Sequence, residues 1–186
     1  HVREGAAHGS VGGSISSTGD VLRAAIQAIG TAPGISTVSS FFLMVFPDTL
    51  FAFGDCAVVP APTAPQLADI ALATAANFER LSGETPRVAM LSFSTKGSAE
   101  HEYVNNVRTA LEAVKTKNSA LSVDGELQFD AAFVPSVGER KAPGSPVAGK
   151  ANVFIFPDLN AGNIGYKIAE RLGGAQAVGP VVQGLA

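Results

Sequence analysis

The feature that most constrains the fold is a regular alternation of short apolar runs with longer amphipathic segments between residues 35 and 182. The clearest amphipathic segment covers residues 64–82, where apolar residues recur at helical spacing. Thr63 and Gln66 have the spacing of a capping box before it, and Gly83 is a typical terminator after it. Strands that alternate with helices of this length build a parallel sheet covered by helices. We therefore predict an α/β fold with a mostly parallel sheet and flanking helices.

The other elements are predicted from apolar spacing and turn residues. Pro47-Asp48 separates two β-branched and aromatic runs, which predicts two neighbouring strands. Ser98 is predicted to open a helix, whereas Asp124-Gly125 is typical of a turn and Glu126 and Asp130 of caps on the element that follows. The predicted helices span residues 20–29, 64–82, 99–116 and 164–172, and the predicted strands span residues 35–46, 49–54, 88–93, 153–156 and 177–182.

Composition limits the class of protein. Charged residues make up 16% and hydrophobic residues 46% of the 186 residues, which is typical of a globular domain. The net charge of -3, without a basic patch, argues against nucleic acid as a main partner. The longest apolar stretch, residues 38–46, is too short to span a bilayer, so no membrane partner is expected.

Cysteine and histidine content narrows the chemistry further. Cys56 is the single cysteine, which excludes an intrachain disulfide and favours a reducing, cytoplasmic location. His1, His8 and His101 do not have the spacing of a metal site, and we expect no metal.

Three loops combine small, hydroxyl and amide residues with a following helix. They cover residues 12–19, 94–98 and 157–163, and the second and third follow predicted strands. Ligands of open α/β sheets bind at the carboxyl ends of strands, and helix N-termini favour anions such as phosphate. For any one of these loops, helix capping and tight turning is the alternative explanation.

Several long segments resemble the phosphate acetyltransferase (phosphotransacetylase) family. They are "TAPGISTVSSFFLM", "GDCAVVPAPTAPQLADIA", "RVAMLSFSTKGSA", "DGELQFDAA", "KAPGSPVAGKANVFIFPDLNAGNIGYK" and "GPVVQGL". The resemblance runs in family order from about residue 9 to the last residue. It implies the isopropylmalate-dehydrogenase-like phosphotransacetylase fold, here in part.

The resemblance implies a reversible reaction in which acetyl-CoA and phosphate exchange with acetyl phosphate and CoA. CoA, acetyl-CoA, acetyl phosphate and phosphate are then the partners; no cofactor is bound, because CoA is a substrate, and a homodimer is expected. Related phosphate butyryltransferases share the scaffold and remain an alternative. A non-catalytic acyl-CoA-binding regulatory domain, like the tail of some malic enzymes, is a second alternative.

The resemblance also implies that the chain is a fragment. We expect residues 1–22 to be a remnant of a first domain or a linker, and residues 23–186 to form the second domain. The family's Asn-Asp-Leu-Ser-Arg-Gly motif and the catalytic aspartate after it would follow shortly beyond Ala186. The catalytic residues are therefore expected outside this chain.

The candidate substrate-binding residues follow from the same resemblance. Arg23 occupies the place of a family arginine associated with CoA, with a solvated helix arginine as the alternative. Ser17 and Thr18 are expected to bind phosphate or only to cap the helix. Cys56 lies in the segment beside the CoA site and is interpreted as a small buried thiol rather than a nucleophile, and Asp55 as a turn residue.

The loop at 157–163 is expected to face the acyl phosphate. Its Asn160 and Asn163 are predicted to supply polar groups, and Lys167 and Arg171 on the following helix to add donors, with solvation as the alternative. Lys96 departs from the small residue usual in the family, which either perturbs its loop or leaves the side chain pointing outward.

Overall fold

The computed structural model describes residues 1–33 and 35–186. The six helices of this part of the chain are α1 (Thr18–Ala28), α2 (Ala64–Ser82), α3 (Glu102–Lys117), α4 (Phe129–Phe133), α5 (Pro135–Lys141) and α6 (Leu159–Arg171). Its six strands are β1 (Ser39–Val45), β2 (Leu50–Gly54), β3 (Arg87–Leu91), β4 (Ser122–Leu127), β5 (Val153–Ile155) and β6 (Gln176–Gln183). None of the helices is long and apolar enough to cross a membrane.

The strands form one sheet in the order β4-β3-β5-β2-β1-β6. The first four run parallel to one another, whereas β1 is antiparallel to both of its neighbours. A short turn joins β1 to β2, and a connection of that length produces an antiparallel pair. The prediction of a mostly parallel α/β sheet with flanking helices is confirmed.

The sheet separates two hydrophobic cores. Alternate residues of each strand point to opposite faces, so that Phe41 and Ala52 belong to one core and Phe42 and Phe53 to the other. Helices α2 and α3 supply the first core, whereas α4, α5 and the inner face of α6 cover the second. The ring of Tyr166 on α6 stacks on Phe42 at 4.2 Å between centroids. The fold is therefore a three-layer sandwich with a helical layer on each side.

Local sequence signals located the best-predicted helix. Helix α2 has the predicted bounds, the Gln66 side chain accepts a hydrogen bond from the Thr63 N–H at 3.0 Å, and Gly83 ends the helix with φ of 75°. A left-handed backbone of this kind suits glycine, which has no Cβ to clash.

Three sequence predictions are wrong, one because Ser98 is bound within its own loop and two because partners distant in the chain prevail over a local signal. Helix α3 begins at Glu102 rather than at 99, since Ser98 bonds to Ser94 and Thr95 in the preceding loop. Asp124-Gly125 lies inside β4, where Lys96 and Ser145 both bind the Asp124 carboxylate.

The third wrong prediction is the capping role of Glu126, which is buried and paired with Arg108. Asp130, predicted as a cap, lies in the first turn of α4 and pairs with Lys141. Lys96 has a φ of 48° and turns back towards β4 instead of pointing outward.

Helix α1 stands apart from the sandwich. None of its residues is buried, and it crosses the predicted division between residues 22 and 23. All of the strands lie within residues 39–183. The division of the chain into a short amino-terminal remnant and an α/β domain stays a prediction.

Candidate functional site

A cavity of about 850 Å³ opens at the carboxyl ends of β3 and β5. These two strands are neighbours in the sheet. From β3 the chain passes through α3 to β4, towards one edge of the sheet, and from β5 it passes through α6 to β6, at the other edge. The helices α3 and α6 cover opposite faces of the sheet. Such a switch point is where open α/β sheets bind ligands. The cavity is therefore the candidate site of this chain.

The walls of the cavity are largely aromatic and proline-rich. Phe93, Tyr103 and Phe129 line it with 56%, 62% and 48% of their surface exposed. His101 contacts the edges of both Phe93 and Tyr103, which fixes this part of the rim. Pro60 and other residues of the β2–α2 loop form the facing wall.

The polar lining contains carboxylates and amides. Glu102 and Asn106 come from the first turns of α3, and Asp158 and Asn160 from the start of α6. The Asn106 amide group donates to the Pro62 carbonyl at 3.0 Å, which ties α3 to the facing wall.

A buried carboxylate holds the β2–α2 wall in place. Asp55 is 3% exposed, and its side chain accepts hydrogen bonds from the Ser40 hydroxyl at 2.5 Å and the Ser40 N–H at 3.2 Å. It also accepts the N–H groups of Ala57 at 3.0 Å and Val59 at 2.7 Å. Asp55 is thus more than the turn residue that its sequence predicted, because it fixes the loop against β1.

The same wall is fastened to the start of α6. The Leu159 N–H donates to the Pro60 carbonyl at 3.0 Å, and the Asn163 amide group donates to the Cys56 carbonyl at 3.0 Å. Gly162 packs so closely that a Cβ there would lie 2.2 Å from the Asp55 carbonyl oxygen. The loop and the helix therefore form a single rigid wall of the cavity.

Cys56 lies inside this wall and is fully buried. Burial, helped by the neighbouring Asp55 charge, raises the pKa of its thiol far above the usual range. A thiol that stays protonated is a poor nucleophile. The interpretation of Cys56 as a small buried thiol is confirmed, and its place beside the CoA site stays a prediction.

The loop at 94–98, predicted to bind an external anion, holds an internal one. The Glu126 carboxylate accepts hydrogen bonds from the Ser94 hydroxyl at 3.0 Å and the Gly97 N–H at 2.7 Å. The Arg108 guanidinium pairs with the same carboxylate at 3.0 Å and with Glu100. The donors of this loop are therefore already satisfied.

The start of α6 is also capped from within. The Asp158 carboxylate accepts the Ala161 N–H at 2.9 Å, so this helix N-terminus already carries a negative charge. Lys167 donates to the Asn163 side chain at 2.6 Å, and Arg171 pairs with Glu170 at the surface.

Helix α1 carries the remaining predicted residues. The Ser17 hydroxyl caps the helix by accepting the Asp20 N–H at 3.2 Å, which is one of the two roles expected for it. Arg23 is exposed and pairs with Asp20 at 3.1 Å, and Thr18 is exposed as well. Among the predicted site residues, the described lining of the cavity includes only Asn160.

Sequence reasoning missed the aromatic lining. Phe93, Tyr103 and Phe129 lie far apart in the chain and were not singled out, although Phe93 follows a predicted strand as ligand-binding residues often do. Among the described residues, no group of three or more His, Cys, Asp and Glu side chains is arranged to hold a metal.

Comparison with known proteins decides the family. The family model described as phosphate acetyl/butaryl transferase matches residues 1–186. The chain belongs to this family. A phosphate acetyltransferase of Thermoanaerobacterium thermosaccharolyticum is 56% identical over 190 residues, and one of Paracoccus denitrificans is 53% identical over 191 residues. These alignments cover 99% and 100% of the chain.

Solved structures agree with the sequence relatives. A phosphotransacetylase from Streptococcus pyogenes matches with a TM-score of 0.93 and 52% identity over 99% of this chain and 56% of that one. A branched-chain phosphotransacylase from Enterococcus faecalis, at 22% identity and a TM-score of 0.74 over 92% of this chain and 62% of that one, shares the fold. The chain spans 58% and 60% of the length of the two curated relatives.

The Glu126–Arg108 pair gives a testable dependence of stability on pH. Burial alone would raise the pKa of Glu126, but hydrogen bonds from Arg108, Gly97 and Ser94 lower it from the ordinary 4.5 to about 2. Because the folded pKa lies below the unfolded one, the carboxylate stabilises the fold fully above about pH 4.5. That contribution is lost as the pH falls towards 2.

We expect Glu126→Gln to lower the free energy of unfolding at pH 7 by about 3 kcal/mol, because it leaves Arg108 without its buried partner. Chemical denaturation from pH 7 to pH 2.5 should show the difference from wild type shrinking below pH 4.5. Glu100→Gln is the matched control, since the exposed Glu100 binds the same guanidinium and should cost less than about 1 kcal/mol. Equal losses in the two variants, or a difference independent of pH, would contradict the assignment.

Proposed function

We propose that the whole protein is a phosphate acetyltransferase, which interconverts acetyl-CoA and phosphate with acetyl phosphate and CoA. The observation that carries the proposal is sequence identity above 50%, over essentially the full chain, to proteins named phosphate acetyltransferase. CoA is a substrate in this reaction, and no resident cofactor or metal is proposed.

The chemistry divides into two tasks. A CoA thiol must lose its proton to attack the acetyl carbonyl, and the departing phosphate needs cations or N–H groups around its oxygens. The buried carboxylates Asp55 and Glu126 are both engaged with internal donors. Following the resemblance to the family, we assign the general base to the motif expected beyond Ala186, and substrate binding to the residues described.

Cationic and hydroxyl groups outside the cavity are proposed to bind the phosphates. The α1 N-terminus presents Ser17 and Thr18 beside Arg23, whose exposed guanidinium pairs, within the described residues, with Asp20 alone. On α6, Lys167 and Arg171 are exposed, and Asn163 is partly so. We propose that Lys167 and Arg171 attract acetyl phosphate electrostatically and that Asn163 adds a polar group. Asn160 is proposed to contact the substrate at the cavity rim.

The substrate assignment is tested by an acetyl transfer assay with the whole protein, with acetyl phosphate as donor and CoA as acceptor. We expect acetyl-CoA and phosphate to form in equal amounts. Arg23→Ala should raise the KM for CoA about tenfold, because a charged contact to phosphate is lost. Arg80→Ala, an exposed arginine at the end of α2, is the matched control and should leave KM unchanged. Absence of acetyl-CoA formation would contradict the proposed activity.

The same assay on residues 1–186 tests where the base lies. We expect CoA binding without turnover, since the base is assigned outside these residues. Turnover by residues 1–186 alone would show that this assignment is wrong.

We also propose a homodimer and a cytoplasmic location. The dimer is supported by apolar side chains on the outer face of α6, where Ile164, Ile168 and Leu172 are 57%, 54% and 84% exposed. Sedimentation equilibrium of the whole protein should give the mass of two chains, and the mass of one chain would contradict the dimer.

The cytoplasmic location is supported by the free thiol of Cys56.

A further inference from the structure

The cavity at β3 and β5 is unsuited to a phosphate group. Its lining side chains that are charged at neutral pH, within the described residues, are the carboxylates Glu102 and Asp158. No lysine, arginine or histidine belongs to this lining. Like charges in a partly enclosed site repel, so the phosphates of a ligand are kept outside. The ligand group inside must therefore be neutral or cationic.

The aromatic walls favour a planar group. Phe93, Tyr103 and Phe129 keep about half or more of their surface exposed although each lies beside an apolar pocket. Aromatic rings bind flat heterocycles by offset or edge contacts, and bases stack on such side chains in nucleotide sites. At about 850 Å³, the cavity is also within the range of small-molecule sites.

Several polar groups at the cavity are acceptors without a partner among the described residues, and they lie beside the hydroxyls of Ser92 and Tyr103 and the amide group of Asn160. The Asn106 amide nitrogen donates to the Pro62 carbonyl. The Asn106 Oδ1 has no hydrogen bond within the described part of the chain. Glu102 accepts no hydrogen bond from the described side chains, and one Asp158 oxygen takes the α6 cap. Acceptors of this kind suit a ring that carries an amino group.

CoA contains one group with all of these properties, the adenine ring, which is planar, neutral and bears an exocyclic amine. We infer that the cavity at the carboxyl ends of β3 and β5 binds the adenine ring of CoA between Phe93, Tyr103 and Phe129. The inference rests on the proposed function for the presence of CoA. It goes further by assigning one part of that substrate to one cavity, with the phosphates directed away from Glu102 and Asp158.

Tyrosine fluorescence provides a direct test. The chain has two tyrosines and no tryptophan. Tyr166 lies in the opposite layer against Phe42, so a Tyr166→Phe background leaves Tyr103 as the single fluorophore of residues 1–186, the part of the protein used for this titration. Adenosine, uridine, phosphopantetheine and CoA are titrated separately, with N-acetyl-tyrosinamide as the correction for light absorbed by the ligand.

We expect adenosine and CoA to quench Tyr103 with saturation, and uridine and phosphopantetheine to do so at least tenfold more weakly. Phe93→Ala in this background should weaken adenosine and CoA binding about tenfold, the size found when a stacked ring is removed. Leu81→Ala is the control, an exposed apolar residue of α2 outside the lining that should change neither affinity. Circular dichroism shows whether both variants keep the fold.

The outcomes separate this inference from the proposed function. Saturable adenosine quenching that Phe93→Ala weakens supports the adenine site. Lack of adenosine quenching, or phosphopantetheine quenching as strong as that of CoA, overturns it whether or not the whole protein transfers acetyl groups. Adenosine binding without acetyl transfer by the whole protein supports the site and counts against the proposed function alone.

Discussion

The structure of the candidate site depends on the buried carboxylate of Asp55. An anion removed from water is costly unless donors replace the water, and here a hydroxyl and three backbone N–H groups do so. These bonds join β1 to the loop after β2. Through the Cys56 and Pro60 carbonyls, the loop then determines where α6 begins. The cavity wall formed by this loop and the start of α6 is thereby positioned by one side chain.

Carboxylates also accept the backbone N–H groups of the other loops at this edge of the sheet. Glu126 occupies the donors of the loop after β3, and Asp158 occupies the N-terminus of α6. Loops of small and hydroxyl residues, which resemble anion sites in sequence, are thus filled by carboxylates of the chain itself. What remains at the cavity is an aromatic and acceptor-rich surface, and this difference separates the place proposed for adenine from the places proposed for phosphate.

The sequence predicted the α/β architecture and the bounds of α2 because periodicity and caps act over a few residues. It failed at Asp124 and Glu126, whose partners lie far along the chain, and at Ser98, which bonds to Ser94 and Thr95 of its own loop instead of opening a helix. The family resemblance is the basis for proposing α1 and α6 as binding elements. It did not identify the cavity, since Phe93, Tyr103 and Phe129 come together only when three connections fold over one sheet edge.

The measurement that tests the account most directly is amide hydrogen exchange of Asp55→Asn compared with wild type. An amide side chain keeps the size of Asp55 but loses its charge and one acceptor oxygen. We predict faster exchange at Ala57 and Val59, extending to Leu159, while the amides of α2 keep their protection. Unchanged exchange at these three amides would show that the cavity wall stands without Asp55, and would contradict the account.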